Sequence, residues 1–400
     1  MKSCQISRLY KFDGLVVEKL LVEEVGVQVK MRRDKRHSIR CSRCGGSTRI
    51  HRESTLVVYD LPLVDHSAVW VTMPATQVKC VKCGKLSTPR PEQVHSTRNA
   101  TWRLMRAVAA WASICPASQV AAMFEISERT VNRYEQDVLA ASLPEPELDG
   151  LEVLMVDEKS VRKKHGYVTV VLNGLTGELL HMAEGKKKDS LISFFDTLNE
   201  DQRASIHSVC LDRGGAYRSA TKEYLPQASI VFDRFHIMAN LNTALDEVRR
   251  SEWRQAEKSG KKVIKGSRYL ISASPENLDE KGLQRLEEIK NLNANLAVAY
   301  ALKEEFRLVY TVSRSVRSAK LRLRRWCKTV KASNIEAMVR FAKGIERDFE
   351  EITAFFELRL TSGRIESFNN QIARLIHRAC GMSNLKHLFL KMRAQSLQQI

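Results

Sequence analysis

The sequence predicts an α/β protein: a mixed sheet built from residues 151–236, an all-helical span that interrupts it, and a small β module and a pair of short helices in front. Three observations predict this. Residues 151–236 alternate short β-branched apolar runs with helical patterns. Residues 237–358 keep helical periodicity and are almost free of strand signals. Near the amino terminus, four of the nine cysteines form two Cys-x-x-Cys pairs separated by strand-like segments.

With 400 residues and 44% hydrophobic content, the chain is long enough to bury more than one core. A formal net charge of +19 implies a polyanionic partner, because such a field attracts phosphates and makes binding salt-dependent. A merely basic soluble protein is the plain alternative. No apolar run approaches the roughly 18 residues of a membrane span, and Met1-Lys2-Ser3-Cys4 lacks a signal peptide's apolar core. A cytoplasmic, nucleoid-associated protein with no membrane partner is expected.

Residues 1–98 are expected to contain a zinc module, at about 38–95. Cys41 and Cys44, then Cys80 and Cys83, are each followed by glycine, Gly45 and Gly84. Each pair makes a tight knuckle presenting two sulfurs, and two knuckles complete a closed tetrahedral Zn2+ site. Residues 54–59 and 68–72 read as a hairpin that returns the second knuckle to the first. A redox dithiol is the competing reading. Residues 1–100 hold 18 Lys plus Arg against 9 Asp plus Glu, clustered at residues 30–36 and at Arg40, Arg43, Arg49 and Arg52. A small basic zinc module is most simply a nucleic-acid grip, and the bland alternative is a stapled domain with a solvated basic face.

Residues 99–142 read as a helix-turn-helix. Trp102, Met105, Ala109 and Ala112 form an apolar stripe, residues 118–124 form a short helix, and Ser127 is placed to cap a helix beginning at Glu128. In that motif the second helix enters the major groove, so Arg129, Thr130, Asn132 and Arg133 have reach to DNA while Val131 faces the core. An ordinary helical hairpin is the alternative. Residues 140–150, with Pro144, Pro146 and the acids Glu145, Glu147 and Asp149, read as a linker.

The first part of the core, 143–236, follows. Residues 151–157, LEVLMVD, read as a buried strand that stops on Asp157, which puts this carboxylate at the sheet rim. Residues 167–172 and 178–182 are two strands joined as a hairpin. Leu191, Ile192, Phe194, Phe195 and Leu198 fall on one helix face, and residues 206–211 form a strand ending on Asp212. Residues 216–224 are a helix closed by Pro226, and residues 228–232 a fifth strand ending on Asp233.

Residues 237–358 are expected to be a helical insertion domain, with helical patterns at 237–257, 276–306 and 334–358. Within it, residues 313–331 carry eight cations, no acid, and Trp326. An unbalanced run with an interleaved aromatic favours a phosphate-tracking surface, for which Arg322, Arg324 and Arg325 are the candidates; a solvated helix face is the alternative. Residues 359–400 return to the core. There Ser362-Gly363 precedes a helix running through Ile376, with Glu366 in its first turns.

The order of strands and helices, with acids after the first and fourth strands, resembles a ribonuclease H-like core, in which those strand ends lie side by side. Asp157 and Asp212, 55 positions apart, could then share a metal with Glu366. A carboxylate after a strand is also a common turn former or helix cap. At these residues the chain resembles bacterial insertion-sequence transposases of the DDE class, the ISL3 family. The matching pieces are Val156-Asp157-Glu158, Asp212 with Tyr217 five positions on, residues 230–236 (IVFDRFH) and residues 365–370 (IESFNN). That family usually has Met-Ser after the second aspartate, where this chain has Arg213-Gly214.

The resemblance implies a DNA transposase that binds the terminal inverted repeats of its element, cuts DNA strands and joins the freed ends to a target. Asp157, Asp212 and Glu366 would hold two Mg2+ or Mn2+ ions, hard cations suited to oxygen ligands and phosphate chemistry. It further implies supporting roles for Asp233 and His236. Glu158, Lys159 and Arg162 would orient DNA, and Arg374, His377 and Arg378 would present charge to it. Joining two ends needs two active sites, so a homodimer on double-stranded DNA is expected. Two competing readings are a catalytically inactive, domesticated DNA-binding regulator and a structure-selective nuclease.

Overall fold

The computed structural model describes residues 9–62, 68–162, 166–359, 363–379, 381–382 and 384–397. Two compact units divide the chain, one of residues 1–144 with 375–394 and the other of residues 145–374 with 395–400.

The first unit opens on a hairpin of β1 (Leu15–Glu23) and β2 (Gly26–Arg33), followed by the long antiparallel pair β3 (Thr48–Asp60) and β4 (Val69–Cys80) and the short β5 (Leu86–Ser87). The order is β1-β2-β4-β3 with β5 on β4, and β2 runs parallel to β4. Alternation builds its core: Val29, Met31, Val58, Val71 and Met73 point inward together. Three helices follow, α1 (Trp102–Ile114), α2 (Ala117–Phe124) and α3 (Glu128–Ser142). The turn between α2 and α3 passes through Glu125 in the left-handed region (φ 51°), and the Ser127 side chain accepts the Thr130 N–H as the N-cap of α3. Val131 is fully buried among Val108, Val120 and Tyr134, as its spacing requires.

The second unit holds β6 (Val153–Arg162), β7 (Gly166–Asn173), β8 (Leu179–Glu184), α4 (Lys188–Phe195), α5 (Glu200–Ser205), β9 (Ser208–Leu211), α6 (Gly215–Tyr224) and β10 (Ser229–Phe232). They form one mixed sheet in the order β10-β9-β6-β7-β8. β6, β7 and β8 are antiparallel, whereas β6, β9 and β10 are parallel. Residues 153–156 are buried at every position, and so read as a continuous apolar run.

One expectation is corrected. β6 does not stop on Asp157; it continues to Arg162, because antiparallel pairing with β7 persists to Arg162↔Gly166. What ends near Asp157 is its other neighbour, since pairing with β9 stops at Val156↔Leu211.

The helical part comprises α7 (Arg234–Gln255), α8 (Lys258–Ile264), α9 (Arg268–Ser272), α10 (Glu280–Leu292), α11 (Ala294–Val312), α12 (Val316–Ala332), α13 (Glu336–Arg347), α14 (Phe349–Thr353) and α15 (Phe355–Leu358). A second expectation fails here. Trp326 is not part of a phosphate-tracking face: it is fully buried, packs its ring 4.7 Å from Phe306 and 6.0 Å from Phe341, and donates Nε1–H to the Leu302 carbonyl at 2.8 Å. Its neighbours on the α12 stripe, Ala319, Leu323, Cys327 and Val330, are buried with it. Lys303, also buried, donates to the carbonyls of Ile271 and Ala273 where α9 ends.

The chain closes with α16 (Gly363–Arg378) and α17 (Leu385–Leu397). Ser362, expected to precede α16, lies outside the described residues. Most of α17 belongs to the first unit, where His387 Nε2 stands 2.9 Å from one oxygen of Glu135 and Lys391 Nζ 2.5 Å from the other. Glu135, on α3, is buried, so these partners supply the polar contacts that water cannot. Among the described residues, no helix is long and apolar enough to cross a membrane.

Candidate active site

Register places three acids in one row. Val156 of β6 pairs with Leu211 of β9, and Leu211 pairs with Phe232 of β10. Asp157, Asp212 and Asp233 each follow one member of that row, so they emerge side by side where the parallel strands end, at strand spacings of about 4.8 Å. This is the carboxyl edge of the parallel strands, where open sheets gather functional groups.

Local structure then orients each carboxylate. Asp157 Oδ1 accepts the Glu158 N–H at 2.8 Å, and Oδ2 accepts from Asn369 Nδ2 at 2.7 Å. Asp212 Oδ1 accepts the Arg213 N–H at 2.5 Å. Asp233 is buried and caps α7, accepting the Phe235 N–H at 3.0 Å. His236, one turn into α7, lies between two of them, with Nδ1 3.5 Å from Asp212 and Nε2 3.7 Å from Asp233. Burial first, and then the negative charges of Asp212 and Asp233, raise the pKa of Asp157 against the pull of the Glu158 N–H and His236. Tyr217, buried on α6, shares a 2.7 Å hydrogen bond with Thr169 beneath this row; burial pushes its hydroxyl up to about 12.

Glu366 sits on α16 three residues before Asn369, and positions i and i+3 share a helix face. It is exposed, within one helical turn of the asparagine that holds Asp157. Glu366 and the aspartates are not drawn to a common ligand distance: among the described residues, only the four cysteines bring three or more possible ligand atoms within 4.8 Å. The donor set nevertheless fits a hard divalent cation, because it is all carboxylate oxygen. The Asn369 Oδ1 atom adds a buried acceptor without a hydrogen-bond partner.

The cysteines gather in the first unit. Cys41 Sγ lies 3.8 Å from Cys83 Sγ, and Cys44 Sγ lies 3.5 Å from Cys80 Sγ. A tetrahedron with Zn–S bonds of about 2.3 Å requires sulfurs about 3.8 Å apart. Each knuckle closes on its glycine: Gly45 N–H bonds Cys41 O, Gly84 N–H bonds Cys80 O, and both glycines have positive φ (66° and 69°). The Cys83 N–H, aimed at Cys80, lowers that thiol to about 6. The arrangement is compatible with structural zinc.

Of the residues predicted to reach DNA, Arg129, Asn132 and Arg133 are exposed on α3, whereas Thr130 is half-buried with its hydroxyl 2.9 Å from that of Ser127. Arg322, Arg324 and Arg325 are exposed on α12. Glu158 and Lys159 are half-buried on β6; the Arg162 side chain lies outside the described ones. Arg374 and His377 are exposed on α16, and Arg378 is half-buried. Two features escaped sequence reasoning. The contact of Asn369 with Asp157 was signalled only by its i+3 spacing from Glu366, and a buried cluster of Arg213, Arg218 and Asp348 had no local signal.

Comparison with known proteins supplies the family. A family model described as "Transposase", of the DDE ISL3 type, matches residues 154–392. The chain is 28% identical over 358 residues to the transposase for insertion sequence element IS1001 of Bordetella parapertussis, covering 88% of each protein. It is also 30% identical over 339 residues to the transposase for insertion sequence element IS1557 of Mycobacterium tuberculosis, covering 78% of this chain and 75% of that one. The match spans both the sheet that carries the acid row and the helix that carries Glu366, and the chain belongs to the ISL3 family of insertion-sequence transposases.

Proposed function

We propose that this transposase binds the terminal inverted repeats of its insertion sequence and catalyses metal-dependent DNA strand cleavage and strand transfer. The observation that carries the reading is the in-register row Val156–Leu211–Phe232, in which Asp157 and Asp212 follow adjacent positions although they lie 55 positions apart in sequence. On this reading residues 143–236 and 359–400 form a ribonuclease H-like core, residues 237–358 its helical insertion domain, residues 38–95 a zinc module and residues 99–142 a helix-turn-helix.

Asp157, Asp212 and Glu366 would hold Mg2+ or Mn2+, which when bound supplies activation of the attacking oxygen and stabilisation of the leaving one. The chain's own residues prepare that site. Asn369 and the Glu158 N–H fix both oxygens of Asp157, so its lone pairs are aimed before any substrate arrives. His236 stands between Asp212 and Asp233, with ring nitrogens 3.5 Å from the first and 3.7 Å from the second. Glu366, exposed on the first turn of α16, is free to swing onto a cation beside Asp157. The exposed Arg129, Asn132 and Arg133 of α3 read the element's ends, Arg322, Arg324 and Arg325 hold phosphates, and a homodimer brings two ends together.

The test is cleavage and joining of a labelled DNA carrying the element's own ends, with Mg2+ or Mn2+, comparing the native chain with Asp157→Asn. Metal-dependent cleavage and joining that the variant loses while still binding the ends is the expected result. End binding without cleavage by the native chain would refute catalysis and favour a DNA-binding regulator.

A further inference from the structure

Away from the acid row, the most heavily paired carboxylate in the second unit is Asp348, whose side chain is 1% exposed at the junction of α13 and α14. It accepts from Arg213 Nε at 2.6 Å, from Arg218 Nη1 at 3.0 Å, and from Arg347 Nε and Nη2 at 3.0 and 2.9 Å. Arg218 also pairs with Glu351, which Lys222 approaches to 3.4 Å. The fit is close: a Cβ at Gly344 would come within 2.5 Å of Arg213 Nη2, so this position excludes any larger residue unless the guanidinium moves. A buried cluster of this kind contributes little net stability, since desolvation offsets its attraction, but it fixes geometry strongly.

The geometry it fixes is that of Asp212. Arg213 is the next residue, and its N–H is the donor held by Asp212 Oδ1. Arg218 lies one turn into α6, so Asp348 grips both ends of the short segment that leads away from Asp212. The Asp212 side chain itself is 37% exposed, with His236 Nδ1 3.5 Å away, and its own packing does not enclose it. We propose that Asp348 is a positioning residue for the candidate metal site: through Arg213 and Arg218 it fixes the main chain of residues 212–218 and so sets the position from which Asp212 receives a divalent cation. This rests on the reading of Asp157, Asp212 and Glu366 as metal ligands. Mg2+ tolerates little departure from ideal ligand positions, which makes such a clamp consequential.

The experiment uses the full chain and Mn2+ alone as the probe, followed by electron paramagnetic resonance, with amide exchange of the metal-free protein measured in parallel. Native chain against Asp212→Asn defines the Asp212-dependent binding. In Asp348→Asn that affinity should fall roughly tenfold or more, as for other outer-sphere partners of metal ligands, and exchange across residues 213–218 should quicken. Arg213→Lys keeps the charge but loses the planar fork; it should give a smaller loss of affinity with an unchanged melting temperature, and it decides the question if Asp348→Asn fails to fold. Native Mn2+ affinity in the folded variants would overturn the clamp. Absence of any Asp212-dependent Mn2+ binding in the native chain would instead overturn the ligand assignment on which the clamp depends.

Discussion

Trp326 offers a sharp separation between packing and DNA contact, because it lies in a strongly basic helix yet is fully buried. Trp326→Ala removes an indole that stacks edge-on against Phe306 and Phe341 and bonds the Leu302 carbonyl. Truncations of this kind cost about 3–5 kcal/mol when the site cannot collapse. At roughly 2–4 °C per kcal/mol for a unit of this size, the melting temperature should fall by roughly 6–20 °C. Trp326→Phe keeps a ring but loses the hydrogen bond; because Leu302 lies inside α11, its carbonyl retains a helical partner, and the cost should be nearer about 1–2 kcal/mol. Arg325→Ala, at an exposed neighbour, should change stability by no more than about 0.5 kcal/mol and instead weaken DNA binding with a reduced salt dependence. Calorimetry and a salt titration of DNA binding on the three variants measure both quantities. If Trp326→Ala melted like the native chain and lost DNA affinity as Arg325→Ala does, the packing assignment would be wrong.

Two further outcomes are expected. The native chain should carry one zinc by atomic absorption, and Cys80→Ser or a strong chelator should abolish it and melt the knuckles at residues 41–45 and 80–84 in amide exchange; native protection without zinc would refute a structural metal. Burial alone would raise Asp348, but hydrogen bonds from Arg347 and Arg213 outweigh it and hold the carboxyl at about 2, below its usual 3.8. A depressed folded-state pKa stabilises above the unfolded value, so about 2 kcal/mol should be present at neutral pH and lost as pH falls from about 4 towards 2. Urea midpoints across that range should show this acid limb in the native chain and not in Asp348→Asn; parallel curves would contradict it.

The sheet of the second unit was legible because its strands are buried on both faces, so residues 153–156 and 209–211 read as unbroken apolar runs. β1 and β2 were not foreseen. β1 carries its half-buried and exposed positions in blocks of two or three, with charges among them, so it lacks a period-2 signal. Trp326 was misjudged because charge count was weighed above spacing: Ala319, Leu323, Trp326, Cys327 and Val330 already form an apolar stripe. At the candidate site, the acids ending β9 and β10 could be read from strand ends. Continuation of β6 past Asp157 could not, because it depends on how far β7 pairs. The grip of Asp348 on Arg213, 135 positions away, exists only once the helical part docks.

The buried Glu135 also says something about biosynthesis. Its partners His387 and Lys391 follow it by 252 and 256 residues, so α3 leaves the ribosome long before the groups that neutralise its carboxylate exist. Most of the sheet-bearing unit lies between them in the chain, so the first unit waits for α17, nearly the last segment made, to complete the polar contacts of α3. A chain terminated before residue 385 would carry α3 with the Glu135 carboxylate lacking both partners, at a cost of several kcal/mol to its packing. On the proposed reading, in which α3 contacts the element's ends, such fragments would bind those ends weakly, and tight binding would be confined to chains that also carry the acid row and Glu366.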